Sequence, residues 1–327
     1  MGRARPVEGK KDAFMSVMRT VRRLIPAFLK RALKQRTLPY RVSELVSSAL
    51  PEVVCVDVGA SFYPHVKWLT LLNAPHTRWL AVEPNQENLA YLKAWSWPSQ
   101  VSACTTGLSR EGGTQTLYIT NVDTGSSLLP PEIPASMTHR VPHLDYFFPV
   151  TERRIETITL MQAIEGLPAN APTFVKLDTQ GTELSILQGA QPVFDARRIV
   201  GVEMESTMLA QPIMKGSGKF WQACEYMEAQ GFELLHVKPI QATKSGRSKA
   251  DLNTYLNECD AVFALRQDVT EMLAVEFRVA LFAFYLTNLL FEEALSLLER
   301  DHQIKTFLQQ RGARVGDLIA LLRSSTR

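Results

Sequence analysis

Short apolar runs rich in β-branched residues recur along the middle of this chain, separated by stretches whose apolar residues fall three and four apart. Strands are predicted over Val53–Val58, Trp79–Val82, residues 100–104, Phe174–Leu177 and Ile199–Val202, and helices over residues 63–73 and Gln86–Trp95. That alternation predicts buried parallel strands in a doubly wound α/β sheet, whose ligands bind beyond the carboxyl ends of the strands. The sheet pattern resumes at residues 153–160. Phe232–Pro239 and Ala261–Leu265, joined without a helix, predict an antiparallel edge pair.

Between these runs, Gly112-Gly113 followed by the alternating residues 114–120 predicts a hairpin arm. Residues 121–149, rich in glycine, serine and proline, predict a long loop over the sheet that is either a lid or binding loop or else mobile. Residues 11–36 carry Phe14, Val17, Met18, Val21, Leu24, Ile25 and Phe28 at helical spacing with arginines and lysines between them, an amphipathic basic helix broken at Pro26. Residues 271–300 and 303–323 are helical throughout, separated by Asp301, and predict an appended helical hairpin. Three regions follow: a basic helical extension over 1–50, an α/β domain over 51–267 and the hairpin over 268–327.

Charge changes this picture only at one end. The net charge is +3, yet residues 1–50 hold twelve Lys/Arg against three Asp/Glu, leaving the rest at −6. The basic helix is therefore the candidate for peripheral contact with an anionic membrane surface, with docking on the protein's own core as the alternative. Nothing points to nucleic acid. Cys55, Cys104, Cys224 and Cys259 show no C-x-x-C spacing, which fits a reduced, cytoplasmic protein. Arg19, Arg22 and Arg23 interrupt the one candidate signal-peptide core, and Val279–Phe291 is too short to cross a bilayer of roughly 30 Å. The apolar face carrying Leu281, Phe284, Tyr285, Leu295 and Leu298 packs on the core or forms a homodimer interface.

The chemistry sits at the strand ends. Val56-Asp57-Val58-Gly59-Ala60-Ser61 delivers an acid and then a glycine, which lets backbone approach a ligand. Ser61 and Pro64 replace the later glycines of a dinucleotide fingerprint, so an NAD-linked enzyme is disfavoured. Glu83 ends the next strand, where a carboxylate can accept both ribose hydroxyls. A nucleoside without a pyrophosphate site suggests S-adenosylmethionine, with Asp57 suited to its ammonium; helix capping is the bland alternative for each acid. A third strand, in Phe-Val-Lys-Leu-Asp-Thr-Gln-Gly-Thr-Glu, ends on Asp178.

Together Val56–Ala60, Ala81-Val82-Glu83-Pro84-Asn85, Phe174–Ala190, Gly201-Val202-Glu203 and Asp260-Ala261-Val262-Phe263 resemble the FkbM-type S-adenosylmethionine-dependent methyltransferases over about residues 50–266. The resemblance implies the class I methyltransferase fold, a Rossmann-like seven-stranded sheet with its last strand antiparallel, and O-methylation of a hydroxyl on a sugar, glycan or natural product. It implies that Asp57, Gly59, Ser61 and Glu83 hold the cofactor, that Pro84 and Asn85 shape the ribose turn, and that Ser102, Cys104 and Thr105 lie near the adenine. Asp178 would face the methyl group. The chain departs from the family's pattern at Ser61, at Gln180 where glutamate is frequent, and at Leu160-Met161 where Leu-Asp is usual.

Methyl transfer to a hydroxyl needs alignment and a base. Asp178 is the first candidate; Glu183 is either a site acid or a structural acid at a helix start. Glu203 and Glu205, flanking Met204, share one face of a strand and one of them is expected at the acceptor. His65 and His236 are weaker candidates. His139 and His143 are separated by Pro142, and no metal is expected. The basic residues Lys244, Arg247 and Lys249 either meet an anionic acceptor or are solvated loop charge. The alternative class is a non-catalytic scaffold that keeps the fold.

Overall fold

The computed structural model describes residues 37–60, 64–85, 88, 97–133, 144–242 and 255–325. The predicted helix over 11–36, Ser61, most of the predicted helix Gln86–Trp95, His139, His143 and the basic residues 244–249 lie outside the described residues.

Helix α1 (Leu38–Val46) precedes β1 (Val53–Val58); the short α2 (Leu69–Leu72) leads to β2 (Thr77–Val82), and β3 (Gln100–Cys104), β4 (Gly107–Leu108), β5 (Gly113–Thr120) and β6 (Pro149–Ile158) follow. After α3 (Leu160–Ala163) come β7 (Thr173–Leu177), α4 (Glu183–Gln188), α5 (Gln191–Asp195), β8 (Ile199–Thr207), α6 (Phe220–Ala229), β9 (Phe232–Ala242) and β10 (Tyr255–Leu265). Seven of these strands form one sheet in the order β3-β2-β1-β7-β8-β10-β9. Strand β10 runs antiparallel to both neighbours, while β3, β2, β1, β7 and β8 are mutually parallel. This is the expected seven-stranded class I methyltransferase sheet. Strand β1 is buried at every position, as a central parallel strand must be.

Two expectations are corrected. The strand predicted at 153–160 does not join that sheet; β6 pairs antiparallel with β5 and parallel with β4 in a separate three-stranded sheet. Glu152, Arg153, Arg154 and Glu156 leave it exposed, whereas a central parallel strand needs apolar residues on both faces. It completes the predicted hairpin arm instead.

The region beyond Leu265 is not an appended hairpin. It comprises α7 (Gln267–Thr270), α8 (Val275–Thr287), α9 (Phe291–Arg300), α10 (His302–Gln310) and α11 (Val315–Ser325). Helix α8 is buried from Val279 through Thr287, on every side, because it forms a layer of the sheet sandwich. Phe284 lies with its ring 5.1 Å from that of Phe174, and a Cβ at Gly201 would fall 2.5 Å from the same ring. The glycine is a seat for the phenylalanine. Helices α9 to α11 pack outside α8, and Asp301 caps α10 by accepting the N–H groups of Gln303 and Ile304. Leu281, Phe284, Tyr285 and Leu298 are thus buried within the chain. On the opposite face Phe194 meets Tyr226 and Phe232 edge to face, with ring centroids 5.9 and 5.6 Å apart.

Candidate active site

The carboxyl ends of β1, β2 and β7 are laced by backbone hydrogen bonds. Gly59 and Ala60 N–H donate to the Val82 carbonyl at 3.0 and 3.2 Å, Asp178 N–H to Val58 at 3.0 Å, and Glu83 N–H to Cys104 at 3.0 Å. Gly59 has φ +78°, and a Cβ there would stand 1.9 Å from the Asp178 carbonyl oxygen. Both the conformation and the space demand glycine. Above these ends lies a cavity of about 350 Å³. Its walls include Gly59, Glu83, Pro84 and Asn85 on one side and Asp178, Gln180 and Glu205 on the other.

Glu83 is buried, and its Oε1 accepts the Asn85 N–H at 2.8 Å, so the turn after β2 fixes the carboxylate's orientation. Residues 122–128 form a strap over the cavity. The Ser127 hydroxyl donates to the Gln180 carbonyl at 2.9 Å, and Pro131 forms an antiparallel β-bridge with Met214. The predicted lid loop therefore lines the site with Val122, Thr124–Leu128, Tyr146 and Phe147. Residues 134–143 of that loop are outside the described residues.

Asp178 and Glu205 converge on Gln180. The amide Nε2 donates to Asp178 Oδ1 at 3.2 Å and to Glu205 Oε2 at 2.5 Å, so one neutral side chain joins two carboxylates. Gln180 itself has φ +57°, a conformation rare outside glycine, and precedes Gly181 at φ +114°. A Cβ on Gly181 would strike Ser217 Oγ at 2.2 Å. Burial, and then Asp178 and Glu258, push the Glu205 carboxyl well above its ordinary range; burial and the neighbouring Glu183, Asp178 and Asp260 push Glu258 up to about 7.

The remaining predicted residues have other places. Asp57, Lys176 and Glu203 are register neighbours across β1, β7 and β8, on the face covered by α8. Lys176 Nζ lies 3.1 Å from Asp57 Oδ1 and 3.9 Å from Asp178 Oδ2. Burial alone would lower the Lys176 ammonium, but Asp57, Asp178 and Glu203 outweigh it and hold its pKa above the ordinary value. Asp57 does not line the cavity, contrary to the expectation that it meets the cofactor's ammonium. Glu203 pairs with Lys67 Nζ at 2.5 Å beneath the site, so of the two glutamates flanking Met204 only Glu205 reaches the cavity.

Glu183 accepts from Thr179 N–H at 2.7 Å, from the Thr179 hydroxyl at 3.0 Å and from Gly181 N–H at 3.0 Å. Burial raises its pKa, opposed by those donors. The structural alternative describes it: Glu183 holds the loop that presents Asp178 and Gln180. Ser102, Cys104 and Thr105 do not line the cavity either; the Ser102 hydroxyl is turned to the Trp79 carbonyl, and Gly107 and Leu108 of the arm form that wall. His65 accepts the Lys67 N–H and His236 is exposed on β9; neither lines the cavity. Among the described residues no group of acids, histidines and cysteines could hold a metal ion.

The sequence matches the family described as Methyltransferase FkbM domain over residues 57–234, more than half of the chain. The chain belongs to the FkbM methyltransferase family. It is a methyltransferase, and its cofactor is S-adenosylmethionine. The glycine approach at Gly59 and the oriented Glu83 fit that group, and the cavity lies within the size range of small-ligand sites.

No curated protein matches the sequence. Among solved structures the FkbM chain is similar to precorrin-6y C5,15-methyltransferase from Geobacter metallireducens, at 14% identity and a TM-score of 0.31, covering 70% of this chain and 88% of that one. It is also similar to an S-adenosylmethionine-dependent methyltransferase from Mesorhizobium loti, at 11% identity and 0.31, covering 71% and 99%. A third likeness is to the 1,6-didemethyltoxoflavin-N1-methyltransferase of Burkholderia thailandensis, at 12% identity and 0.29, covering 82% and 93%. The family match, not these distant likenesses, carries the assignment.

Sequence reasoning did not assign Gln180, Glu258, Arg153 or the arm residues Gly107 and Leu108 to a site. Glu258 had a legible signal, since it shares strand parity with Asp260 in β10 and that strand pairs with β8 at Glu205.

Proposed function

We propose that this FkbM methyltransferase methylates a hydroxyl of a sugar, glycan or natural-product acceptor. The observation that supports the reading is the convergence of Asp178 and Glu205, joined by Gln180, on the wall facing Gly59 and Glu83. Glu83 binds the ribose hydroxyls, and Gly59 admits the cofactor's backbone-side approach. The cofactor supplies an electrophilic methyl on a sulfonium. Asp178 would accept the proton of the acceptor hydroxyl as the acceptor oxygen bonds the methyl carbon and that carbon's bond to sulfur breaks, the electron pair staying on sulfur. Gln180 and Lys176 hold the two Asp178 oxygens, fixing the carboxylate's direction. Val122, Thr124–Leu128, Tyr146 and Phe147 exclude water from that exchange.

Among the described residues no helix is long and apolar enough to cross a membrane. A cytoplasmic location, with the basic segment 11–36 as the candidate membrane contact, fits this reading.

The test is incubation with methyl-labelled S-adenosylmethionine and fractionated glycans and small metabolites, with products read by mass spectrometry. The expected product gains one methyl on oxygen, and Asp178→Asn lowers kcat by about 100-fold or more with cofactor affinity kept. Label found on nitrogen or carbon, or an undiminished Asp178→Asn, overturns the proposal.

A further inference from the structure

The arm β4–β6 is a sheet of its own, outside the seven strands whose carboxyl ends floor the cavity. One of its faces looks into that cavity. Leu117 and Ile119 of β5 and Arg153 and Ile155 of β6 line it, at the alternate positions that share a strand face. Among the described residues that line the cavity, Arg153 is the only one with a positive charge, and among the described residues it makes no ion pair or hydrogen bond. Glu152 and Glu156 of the same strand fall on the other face by parity, where Glu156 accepts the Thr114 hydroxyl at 2.6 Å.

Register places Arg153 on the acceptor side. It stands opposite Leu117. The next residue of β5, Tyr118, exchanges backbone hydrogen bonds with Ser127 of the strap at 2.8 and 3.2 Å, and the Ser127 hydroxyl is tied to the Gln180 carbonyl. Arg153 is therefore one residue along the arm from the level at which the strap closes on the wall of Asp178, Gln180 and Glu205.

We propose that Arg153 selects the acceptor by pairing with an anionic group on it, a carboxylate or a phosphate. The inference rests on the acceptor-side reading of Asp178 given above, and it narrows the acceptor to a hydroxyl compound with an acid group within reach of the arm.

The residue type suits the task. An arginine stem tolerates an apolar face such as that of Leu117, Ile119 and Ile155, while its planar guanidinium meets two oxygens of a carboxylate or phosphate at once. A neutral hydroxyl uses one donor and leaves the charge unanswered. The acids of the cavity already have donors: Glu83 the Asn85 N–H, and Asp178 and Glu205 the Gln180 amide, with Lys176 behind Asp178. An anionic acceptor entering past those acids needs a cation, and Arg153 is the one the wall supplies. The cofactor's own carboxylate is the competing claimant. Against it stands the placement of Arg153 on an arm added to the common sheet, where substrate-selecting groups are usually carried.

The first readout needs no acceptor. In the full chain labelled at arginine nitrogen and loaded with S-adenosylhomocysteine, the Arg153 Nε–H signal, assigned with Arg153→Gln, is followed by NMR against sodium phosphate and sodium acetate, with sodium chloride at equal ionic strength as control. A saturable shift at Arg153 is expected, with Arg154, on the opposite face of the same strand, unmoved. No saturable shift in either salt, or the same shift at Arg154, overturns the proposal.

The second readout splits the acceptor pool on an anion-exchange resin before incubation with labelled S-adenosylmethionine. Label is expected in the retained fraction, and Arg153→Gln should lower the rate on that fraction about tenfold or more with S-adenosylhomocysteine affinity kept, Arg153→Lys falling between. Phosphatase treatment of the labelled product releases a phosphate ester from the resin and leaves a carboxylate bound, which names the anion. Label in the unretained fraction alone, equal rates for wild type and Arg153→Gln, or a loss of S-adenosylhomocysteine affinity in Arg153→Gln overturns the proposal. A methyl found on nitrogen or carbon of an anionic acceptor would strike the hydroxyl reading and leave this one standing.

Discussion

Replacing Lys176 by methionine isolates the charge that lies beneath the site. The side chain keeps its length and loses its ammonium. Lys176 is 3.1 Å from Asp57 Oδ1, and Asp57 is only 4% exposed, so the variant strands a buried carboxylate on the central strand. Removing one partner of a buried ion pair costs about 3–5 kcal/mol. With a urea slope near 2 kcal/mol per molar, the unfolding midpoint should fall by about 1.5–2.5 M. The double variant Asp57→Asn, Lys176→Met removes the stranded charge and should recover more than half of the loss. Because the lysine's folded pKa is raised, its contribution is fully present below the unfolded value of about 10.4 and disappears only above the folded one. The gap between wild type and variant due to Lys176 should therefore stay flat from about pH 6 to about pH 9. A single variant that unfolds at the wild-type midpoint, or a double variant no better than the single, would refute the burial argument.

Three further outcomes are expected. Gly59→Ala, with its Cβ 1.9 Å from the Asp178 carbonyl and φ at +78°, should lose about 2–3 kcal/mol and weaken cofactor binding at least tenfold by calorimetry, and an unchanged titration would sink the close-approach account. Glu83→Gln should reduce cofactor affinity by about 10–100-fold, as loss of a charged acceptor does, while thermal melting without cofactor moves little; equal binding would remove Glu83 from the ribose. Glu258, with a pKa pushed up to about 7, contributes stability below its unfolded value near 4.3 that is lost as pH rises through 7. Glu258→Gln should accordingly match wild type near pH 4 and exceed it by about 3–4 kcal/mol near pH 8, and a variant less stable at both ends contradicts the assignment.

The strands of the main sheet were legible because parallel strands buried on both faces leave unbroken apolar runs, as Val53–Val58 shows. The acids at their ends were legible for the same reason, since the polarity changes abruptly at Glu83 and Asp178. Fate was harder to read than position. Asp57 and Glu203 sit on the sheet face where periodicity put them, but whether a carboxylate faces a cavity or a lysine depends on Lys176 and Lys67, which lie 119 and 136 residues away in the chain. The sequence alone allows Glu183 two roles, and only the distances to Thr179 and Gly181 separate them. The sheet to which strand β6 belongs is not legible, because a run's strand propensity says nothing of its partner. The apolar face of helix α8 is evident locally, while the seat at Gly201 that receives Phe284 and makes the helix part of the core is a long-range fact.

The seat at Gly201 bears on what can be inherited as a unit. The stretch that marks the family ends at residue 234, yet β10, which stands between β8 and β9 in the sheet, runs from Tyr255 to Leu265, and Phe284 comes later still. A recombination event that carried only the marked stretch would deliver a sheet with a gap in its order and Phe174 facing water. Gene fusion or shuffling of this enzyme must therefore keep the downstream helices together with the strands of the sheet, because helix α8 fills the seat that β8 leaves open.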